Sequence, residues 1–256
     1  MKRKIWWFNL EGKNTGDIFT PWLFEQMGIP YEFSEGREFI GCGSVFNFAK
    51  PNSFIWGTGI HRVSDKIPKC YKILAVRGKL TRDLLKMPDL VLGDPGLLLS
   101  KFYKPNVSKK HKVCILSHWT DYSYFKQFEN FCPVYNMRQD SLDKPIEYIA
   151  DRICECDMVF SSSLHGIIFA HSLGVPAIHI ENKMLYSTDN FKFKDYYSTI
   201  GLNYFKEKFV PTNEFVDTYL LNKDRYLPKM NLIRKIQEDL MKVFPYEVSR
   251  NKAEDR

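Results

Sequence analysis

Short apolar runs that end in glycine or polar residues recur through the first half of the chain, with the length and composition of β-strands. The predicted strands are KIWWFNL (4–10), EFIGCGSVF (38–46), SFIWGTGI (53–60), CYKILAVRG (70–78) and DLVLGDPGLLL (89–99). Apolar residues at helical spacing predict one helix over 18–28, ending at Gly28, and another over 80–87, with Thr81 available as its cap. This alternation is typical of a layered α/β structure.

The same pattern restarts after a lysine-rich segment, KPNVSKKHK (104–112). The predicted strands are KVCILSHW (112–119), CPVYNM (132–137), DMVFSSS (157–163) and PAIHIE (176–181), and the predicted helices cover 122–131, 143–156 and 166–173, the last ending at Gly174. Strand, helix and strand in this order form a parallel βαβ unit. A final helix over 229–244 carries an apolar stripe of Leu232, Ile236, Leu240 and Val243, which predicts packing on the body of the protein.

Two α/β layers follow from this organisation: an N-terminal domain over 1–105 and a C-terminal domain over 106–256. The carboxyl ends of their parallel strands should face a cleft, where ligands of such folds bind. The last residues, YEVSRNKAEDR, have the composition of a frayed tail.

Composition narrows the class of protein only slightly. The chain of 256 residues has a net charge of +7, a modest excess that favours anionic partners. Six cysteines form no CxxC pair, which indicates free thiols in a reducing cytoplasm. Cys154 and Cys156 have no second pair at matching spacing, so no structural metal is expected.

The sequence offers no membrane-spanning segment. The N-terminal apolar run is too short for a signal peptide, and the most apolar stretch, 164–180, contains histidines and falls short of a bilayer span. We expect a soluble protein that at most rests on a membrane. The lysine-rich segment is interpreted first as a solvated linker and second as a patch for anionic lipid headgroups. Basic residues are dispersed and match no nucleic-acid recognition motif.

The segment SSSLHG, residues 161–166, carries the most chemical information. It leaves a strand and enters a helix whose first backbone N–H groups have no partner within the helix. Those N–H groups, the hydroxyls of Ser161, Ser162 and Ser163, and the small Gly166 could together bind a phosphate or carboxylate. In the alternative interpretation, the serines cap the helix and His165 is a buried structural histidine.

Similar polar, glycine-containing junctions follow most of the other predicted strands. They are NTGD (14–17), GCGS (41–44), WGTG (56–59), VRGKLTRD (76–83) and LGDPG (92–96). Because parallel strands end at the same edge of a sheet, their recurrence predicts a cleft lined by polar groups.

In this order, these junctions and the segments SSSLHGIIFAHSLGVPAI and KFKDYYSTIGL (192–202) resemble the polysaccharide pyruvyl transferase family, especially its exopolysaccharide-biosynthesis branch. The resemblance extends over nearly the whole chain. It implies two Rossmann-like domains in a GT-B-like arrangement, with the active site in the interdomain cleft. It also implies transfer of the enolpyruvyl unit of phosphoenolpyruvate onto two sugar hydroxyls, which yields a pyruvate ketal and free phosphate.

The resemblance also assigns roles to residues. His165 would be the general acid that protonates the methylene carbon, a role suited to a side chain that titrates near neutrality. Arg77 and Lys194 would hold the anionic groups of the donor, with Lys192 as the alternative match for the lysine. Asp17 would be the base for the attacking hydroxyl.

Further residues fall on the donor and acceptor sides of the expected site. The donor side comprises Ser161, Ser162, Ser163, Gly166 and Arg82, and the acceptor side comprises Asn14, Gly16, Ser44 and Trp56. Ser163 stands where many relatives have an arginine, so either Arg77, Arg82 or Lys194 supplies the charge that holds the donor, or the donor differs.

Each assignment has a structural alternative. Arg77 could pair with Asp83 in a salt bridge, and Asn14 and Asp17 could form a tight turn. Trp56 could be a core residue instead of a sugar platform, and Asp94 is expected to fix a turn. The remaining histidines, at 61, 111, 118, 171 and 179, receive no role.

The expected partners are phosphoenolpyruvate and a sugar acceptor carried on a lipid, with no metal, organic cofactor or nucleic acid. The expected location is the cytoplasm, with a peripheral contact at the inner face of the cell membrane. Two other functions use the same cleft: a GT-B glycosyltransferase that uses a nucleotide sugar, and an inactive glycan-binding homologue.

Overall fold

The computed structural model describes residues 1–9, 12–70, 72–181 and 189–248. Its strands are β1 (Arg3–Ile5), β2 (Tyr31–Phe33), β3 (Phe39–Ile40), β4 (Phe54–Trp56), β5 (Lys72–Val76), β6 (Val91–Leu92), β7 (His111–Ser117), β8 (Val134–Asn136), β9 (Cys156–Ser161), β10 (Ala177–Ile180) and β11 (Lys206–Glu207). Its helices are α1 (Phe19–Gln26), α2 (Lys79–Leu85), α3 (Leu99–Phe102), α4 (Tyr122–Phe125), α5 (Pro145–Cys154), α6 (Leu164–Ser172), α7 (Phe191–Ile200), α8 (Asn213–Leu220) and α9 (Met230–Lys242).

The strands form two main parallel sheets, one from each half of the chain. The first has the order β3-β4-β5-β6, and the parallel pair β1-β2 adjoins it where the Trp6 N–H donates to the Phe39 carbonyl over 2.9 Å. The second has the order β11-β10-β9-β7-β8. The protein is therefore a mixed α/β structure whose parallel sheets are consistent with Rossmann-like folds, as the sequence predicted.

Each sheet contains a point at which the direction of winding reverses. The chain adds β8 on one side of β7 and then returns to add β9 on the other side. In the first half, β2 and β3 lie on opposite sides of β1 in the same way. Loops that leave neighbouring strands in opposite directions open a crevice at the carboxyl ends of those strands. The strand order therefore specifies where each half can bind a ligand.

One hydrophobic cluster contains residues from both halves. Leu97 and Leu98 are fully buried in the turn after β6, and they share this cluster with Ile168 and Phe169 of α6. The ring of Phe19 in α1 lies 5.0 Å from that of Phe169, measured between centroids. Every residue of α6 is buried, which explains why this helix is apolar on nearly all sides.

The C-terminal helix α9 packs back onto the first sheet. Ile236 and Leu240 approach Gly93 at the end of β6, and the indole N–H of Trp56 donates to the Leu240 carbonyl over 2.9 Å. The expectation that this helix packs on the body is confirmed. Its buried residues are Ile233, Ile236 and Leu240, whereas the expected Leu232 and Val243 are only partly buried.

Several local expectations need correction. Thr81 does not cap α2, because it lies inside the helix and its N–H and hydroxyl both donate to Asp195. The helix predicted over 122–131 is limited to α4 and a following 3₁₀ turn. Strands β2 and β11 and helices α3, α7 and α8 were not predicted. Of the predicted tail, residues 249–256 lie outside the described residues, whereas Tyr246 packs on the core.

The lysine-rich segment is held against the second half of the chain by its own side chains. Lys109 donates to the Cys156 carbonyl, Lys110 pairs with Glu155 at 2.5 Å, and Lys112 pairs with Asp217 at 3.1 Å. Paired lysines attract a lipid surface less than free ones, so the linker interpretation is favoured. None of the helices in the described ranges has both the length and the apolar character needed to cross a membrane.

Candidate active site

The crevices of the two sheets open into one cavity of about 400 Å³. Its walls come from the segments that follow β1, β3 and β4 in the first half and β7 and β9 in the second, together with the start of α7. The lining residues are Phe8, Asn14, Asp17, Gly43, Ser44, Val45, Asn47, Phe48, His61, Arg62, Asp65, His118, Trp119, Thr120, Ser163, Leu164, His165 and Lys192. Residues that follow the carboxyl ends of strands in both halves thus line a single cavity.

The three serines have different positions at the junction between β9 and α6. The Ser161 hydroxyl donates to the Leu116 carbonyl over 2.7 Å, and the Ser162 hydroxyl accepts from the His118 N–H over 2.9 Å. These two serines therefore join the ends of β7 and β9, and only Ser163 lines the cavity. No serine side chain caps α6, so the capping alternative is wrong.

His165 lies in the first turn of α6, where its imidazole lines the cavity. Its Nε2 is 3.0 Å from the Cys42 Sγ and 3.8 Å from Asp94 Oδ1. Burial would raise the pKa of Asp94, but the adjacent His165 imidazole and the charge of Arg77 hold this pKa below its ordinary value. The carboxylate of Asp94 is therefore ionised and places a negative charge beside the imidazole.

Gly16 is packed against the imidazole ring. A Cβ at this position would collide with Nδ1 and Cγ of His165. Only a glycine lets the turn that follows β1 approach the ring so closely. Gly16 thus holds the histidine in place and does not line the cavity.

Asp17 and Asn14 line the cavity from the same turn after β1. The Asn14 Oδ1 accepts from the Gly16 N–H over 3.2 Å, so this residue both forms the tight turn and lines the cavity. Burial raises the pKa of Asp17 to about 6, although the charges of His165 and Lys192 oppose that shift. A carboxyl group with this pKa can exchange a proton near neutral pH.

Arg77 does not line the cavity. The side chain is fully buried, and its guanidinium pairs with Asp195 of α7, with a separation of 3.0 Å between Nη2 and Oδ2. Nη1 donates to the Ser44 hydroxyl and Nη2 to the Ile60 carbonyl, each over 2.6 Å. Nε donates to Asp195 Oδ2 over 3.1 Å, so all three nitrogens are engaged, and the expected partner Asp83 pairs with Arg82 instead. Arg77 holds Ser44 and α7 in position, which differs from the expected grip on an oxyanion.

The structure distinguishes between Lys192 and Lys194, the two lysines that could match the family pattern. Lys192 is buried and lines the cavity, whereas Lys194 is exposed and does not. They differ by two residues in a helix, a spacing that points side chains in different directions. Burial and the charge of Arg77 lower the pKa of Lys192 to about 8, although Asp17 and Asp121 oppose that shift. The alternative match, Lys192, is therefore the lysine of the site.

Three further residues that were assigned to the site lie outside the cavity lining. Trp56 is buried in the core, away from the cavity. Arg82 is also absent from the lining, because its guanidinium pairs with Asp83 on the surface. Gly166 lets α6 approach Ser161 and Leu116 at the strand ends, so its small size serves packing.

Sequence reasoning missed several residues that line the cavity. His61, Arg62 and His118 face it, as does Trp119, whose side chain is 46% exposed. Burial lowers the pKa of His61 to about 4 and of His118 to about 3, with help from the charge of Lys192. Both imidazoles are therefore neutral at pH 7. The sequence feature that could have identified these residues is their position directly after β4 and β7.

A family model described as polysaccharide pyruvyl transferase matches residues 24–184, which is more than half of the chain. The chain therefore belongs to the polysaccharide pyruvyl transferase family, as its motifs indicated. Uncharacterized protein L143 of Acanthamoeba polyphaga mimivirus is 32% identical over 179 residues, covering 62% of this chain and 59% of that protein. The chain thus spans about three-fifths of the length of that relative. No solved structure matches the chain.

Proposed function

We propose that the protein transfers pyruvate from phosphoenolpyruvate onto two hydroxyls of a sugar during polysaccharide synthesis. Family membership supports pyruvyl transfer. The observation that carries the proposal is the convergence of a carboxylate-supported imidazole, His165, and a buried cation, Lys192, on one cavity. An enol ester that carries both a carboxylate and a phosphate needs a proton donor and fixed positive charge.

The proposed arrangement has two Rossmann-like domains, over 1–105 and 106–256, placed as in GT-B enzymes. The reversal of winding in each sheet supports this division, because each half then supplies its own crevice. Helix α9 lies in the second half of the sequence but packs on the first sheet. It would therefore connect the domains.

The proposed reaction begins with protonation. His165 donates a proton to the methylene carbon, which becomes a methyl group and leaves an oxocarbenium-like centre at C2. One sugar hydroxyl attacks C2 and its proton passes to Asp17. The bond between C2 and the phosphate oxygen then breaks, and the second hydroxyl attacks the same carbon. The products are the pyruvate ketal and phosphate, which leaves with the second hydroxyl proton.

Positive charge at the cavity would hold the donor. Lys192 and Arg62 supply side-chain cations, and Ser163 directly precedes α6, whose N-terminal N–H groups favour an anion. These groups would replace the arginine that many relatives carry at the position of Ser163. Asn14 and the exposed indole of Trp119 would contact the acceptor, because aromatic faces stack well on sugar rings.

A comparison of two lysine variants tests this proposal. We expect Lys192→Met to raise the KM for phosphoenolpyruvate by roughly 10- to 100-fold, the effect of losing a charged hydrogen bond. Lys194→Met is the matched control and should leave KM unchanged, since that side chain is exposed. The assay measures phosphate release and mass gain on candidate oligosaccharides. Consumption of a UDP-sugar instead of phosphoenolpyruvate would identify a glycosyltransferase. Binding of a sugar without consumption of either donor would identify an inactive homologue.

The pH dependence of kcat/KM should be bell-shaped. Asp17, with a pKa of about 6, must lose its proton to act as the base, so activity should rise as pH increases through 6. Lys192, with a pKa of about 8, loses its charge above that pH, so activity should fall as pH increases through 8. Lys192→Arg keeps the charge and should move the alkaline limb upward. An alkaline limb that does not move would exclude Lys192 as its source.

The acceptor is proposed to be a lipid-linked sugar, which the enzyme would reach from the cytoplasmic face of the membrane. The paired lysines of 104–112 give little support for direct lipid contact. We therefore propose that recognition of the acceptor depends mainly on the cavity.

A further inference from the structure

Three side chains with metal-binding atoms meet directly beneath the cavity. They are Cys42, Asp94 and His165, which come from segments after β3 and β6 and from the start of α6. The Cys42 Sγ is 3.0 Å from His165 Nε2 and 3.4 Å from Asp94 Oδ1, and the nitrogen and oxygen are 3.8 Å apart. All three residues are buried.

These separations, from 3.0 to 3.8 Å, bracket those of ligands around a small tetrahedral ion. With usual bond lengths, sulfur, nitrogen and oxygen ligands on tetrahedral zinc lie about 3.3 to 3.6 Å apart. A thiolate, an imidazole and a carboxylate together suit zinc and similar borderline-soft cations better than magnesium or calcium. The residues are far apart in sequence, so spacing motifs could not reveal them.

A second observation also points to a ligand. The Oδ2 atom of Asp94 is buried and has no hydrogen-bond partner among the described residues. A buried carboxylate oxygen without a partner is costly, and coordination of a cation would remove that cost. A dication would also balance the charges of one carboxylate and one thiolate, so burial would leave no net charge.

We propose that Cys42, Asp94 and His165 form a binding site for Zn²⁺. Binding forms three bonds, to Sγ, to a carboxylate oxygen and to Nε2, and releases the thiol proton of Cys42 to solvent. His165 lines the cavity, so the ion reaches the site from there and takes its fourth ligand, a water, on that side.

Metal binding would also regulate the proposed reaction, and this part of the inference rests on the proposed function. A metal ion on Nε2 prevents formation of the imidazolium, because the lone pair that would bind the proton is occupied. The loaded protein would then lack its general acid. Zinc is thus expected to act as a reversible inhibitor and not as a cofactor.

Cobalt spectroscopy on the metal-free full chain tests the site without any activity assay. Titration with Co²⁺ should show one equivalent bound, with a thiolate-to-cobalt charge-transfer band that Zn²⁺ displaces. Cys42→Ser should abolish the band and weaken Zn²⁺ binding by at least about 100-fold, more than the roughly 10- to 100-fold typical of losing an outer-shell partner. Asp94→Asn is the second variant and should weaken binding while leaving the band.

Cys70→Ser is the matched control, because that thiol lies outside the trio, and it should change neither the band nor the affinity. Circular dichroism confirms that each variant is folded. No stoichiometric binding, or a charge-transfer band that persists in folded Cys42→Ser, would overturn the site. If metal binds as expected but phosphate release is not inhibited, only the regulatory part fails. If no phosphate release occurs even in metal-free protein, the failure belongs to the proposed function.

Discussion

Replacement of His165 by glutamine should lower the rate of phosphate release by roughly 100- to 10,000-fold, the usual contribution of a positioned acid. Glutamine has a similar size and can hydrogen-bond to Asp94, but it cannot give a proton to carbon. The chemical step should therefore slow while donor binding, which depends on Lys192 and Arg62, is largely kept. Steady-state kinetics should show the loss in kcat, with little change in KM for phosphoenolpyruvate.

His111→Gln serves as the control, because this histidine begins β7 and does not line the cavity. Its rate should equal that of the wild type. The thermal midpoint of each variant checks that folding is intact. A folded His165→Gln variant that keeps more than about a tenth of the wild-type rate would remove this residue from the role of general acid.

Replacement of Arg77 by methionine should lower the free energy of unfolding by about 3–5 kcal/mol. Both partners of the Arg77–Asp195 pair are fully buried, so removal of the guanidinium leaves a carboxylate without compensation in the interior. The same change also frees the Ser44 hydroxyl and the Ile60 carbonyl. Urea unfolding followed by circular dichroism measures the effect.

Arg82→Met is the matched control, since its pair with Asp83 is partly exposed and should contribute about 0–1 kcal/mol. Replacing Arg77 and Asp195 together should cost less than the sum of the single replacements, because neither charge is then left alone. Strict additivity would show that the two side chains are not energetically coupled, which would contradict the geometry.

Many of the helices and strands were predicted from the sequence. Helix α5 begins at Pro145, within the predicted range of 143–156, and α6 ends shortly before Gly174, which adopts a positive φ of 74°. The strands at the centre of the second sheet, β7 and β9, were found because their apolar runs are long. Strand β11, with only two residues, lacks any such pattern. Short edge elements depend on their neighbours more than on their own composition.

The site was predicted in part. Ser163, His165, Asn14 and Asp17 were expected at the cleft, and each lines the cavity. Their signal was local, because polar residues directly follow apolar strands. The role expected for Arg77 needed its partner to be known, and Asp195 lies in a different half of the chain. Only the folded structure brings such distant residues into contact.

The same limit explains the other omissions. His61, Arg62 and His118 became candidates only when the strand order placed their loops beside α6. Lys192 and Lys194 could not be separated by composition, because the direction of each side chain depends on how α7 packs. The trio of Cys42, Asp94 and His165 is likewise a product of topology.

The hydrophobic cluster shared by both sheets determines how the protein can move. A hinge that swung the halves widely apart would pull Phe19 and Leu97 away from Phe169 and expose them to water. Large-scale opening is therefore energetically penalised. Substrate entry and product exit should instead depend on small rearrangements of the exposed rim around Arg62 and Trp119.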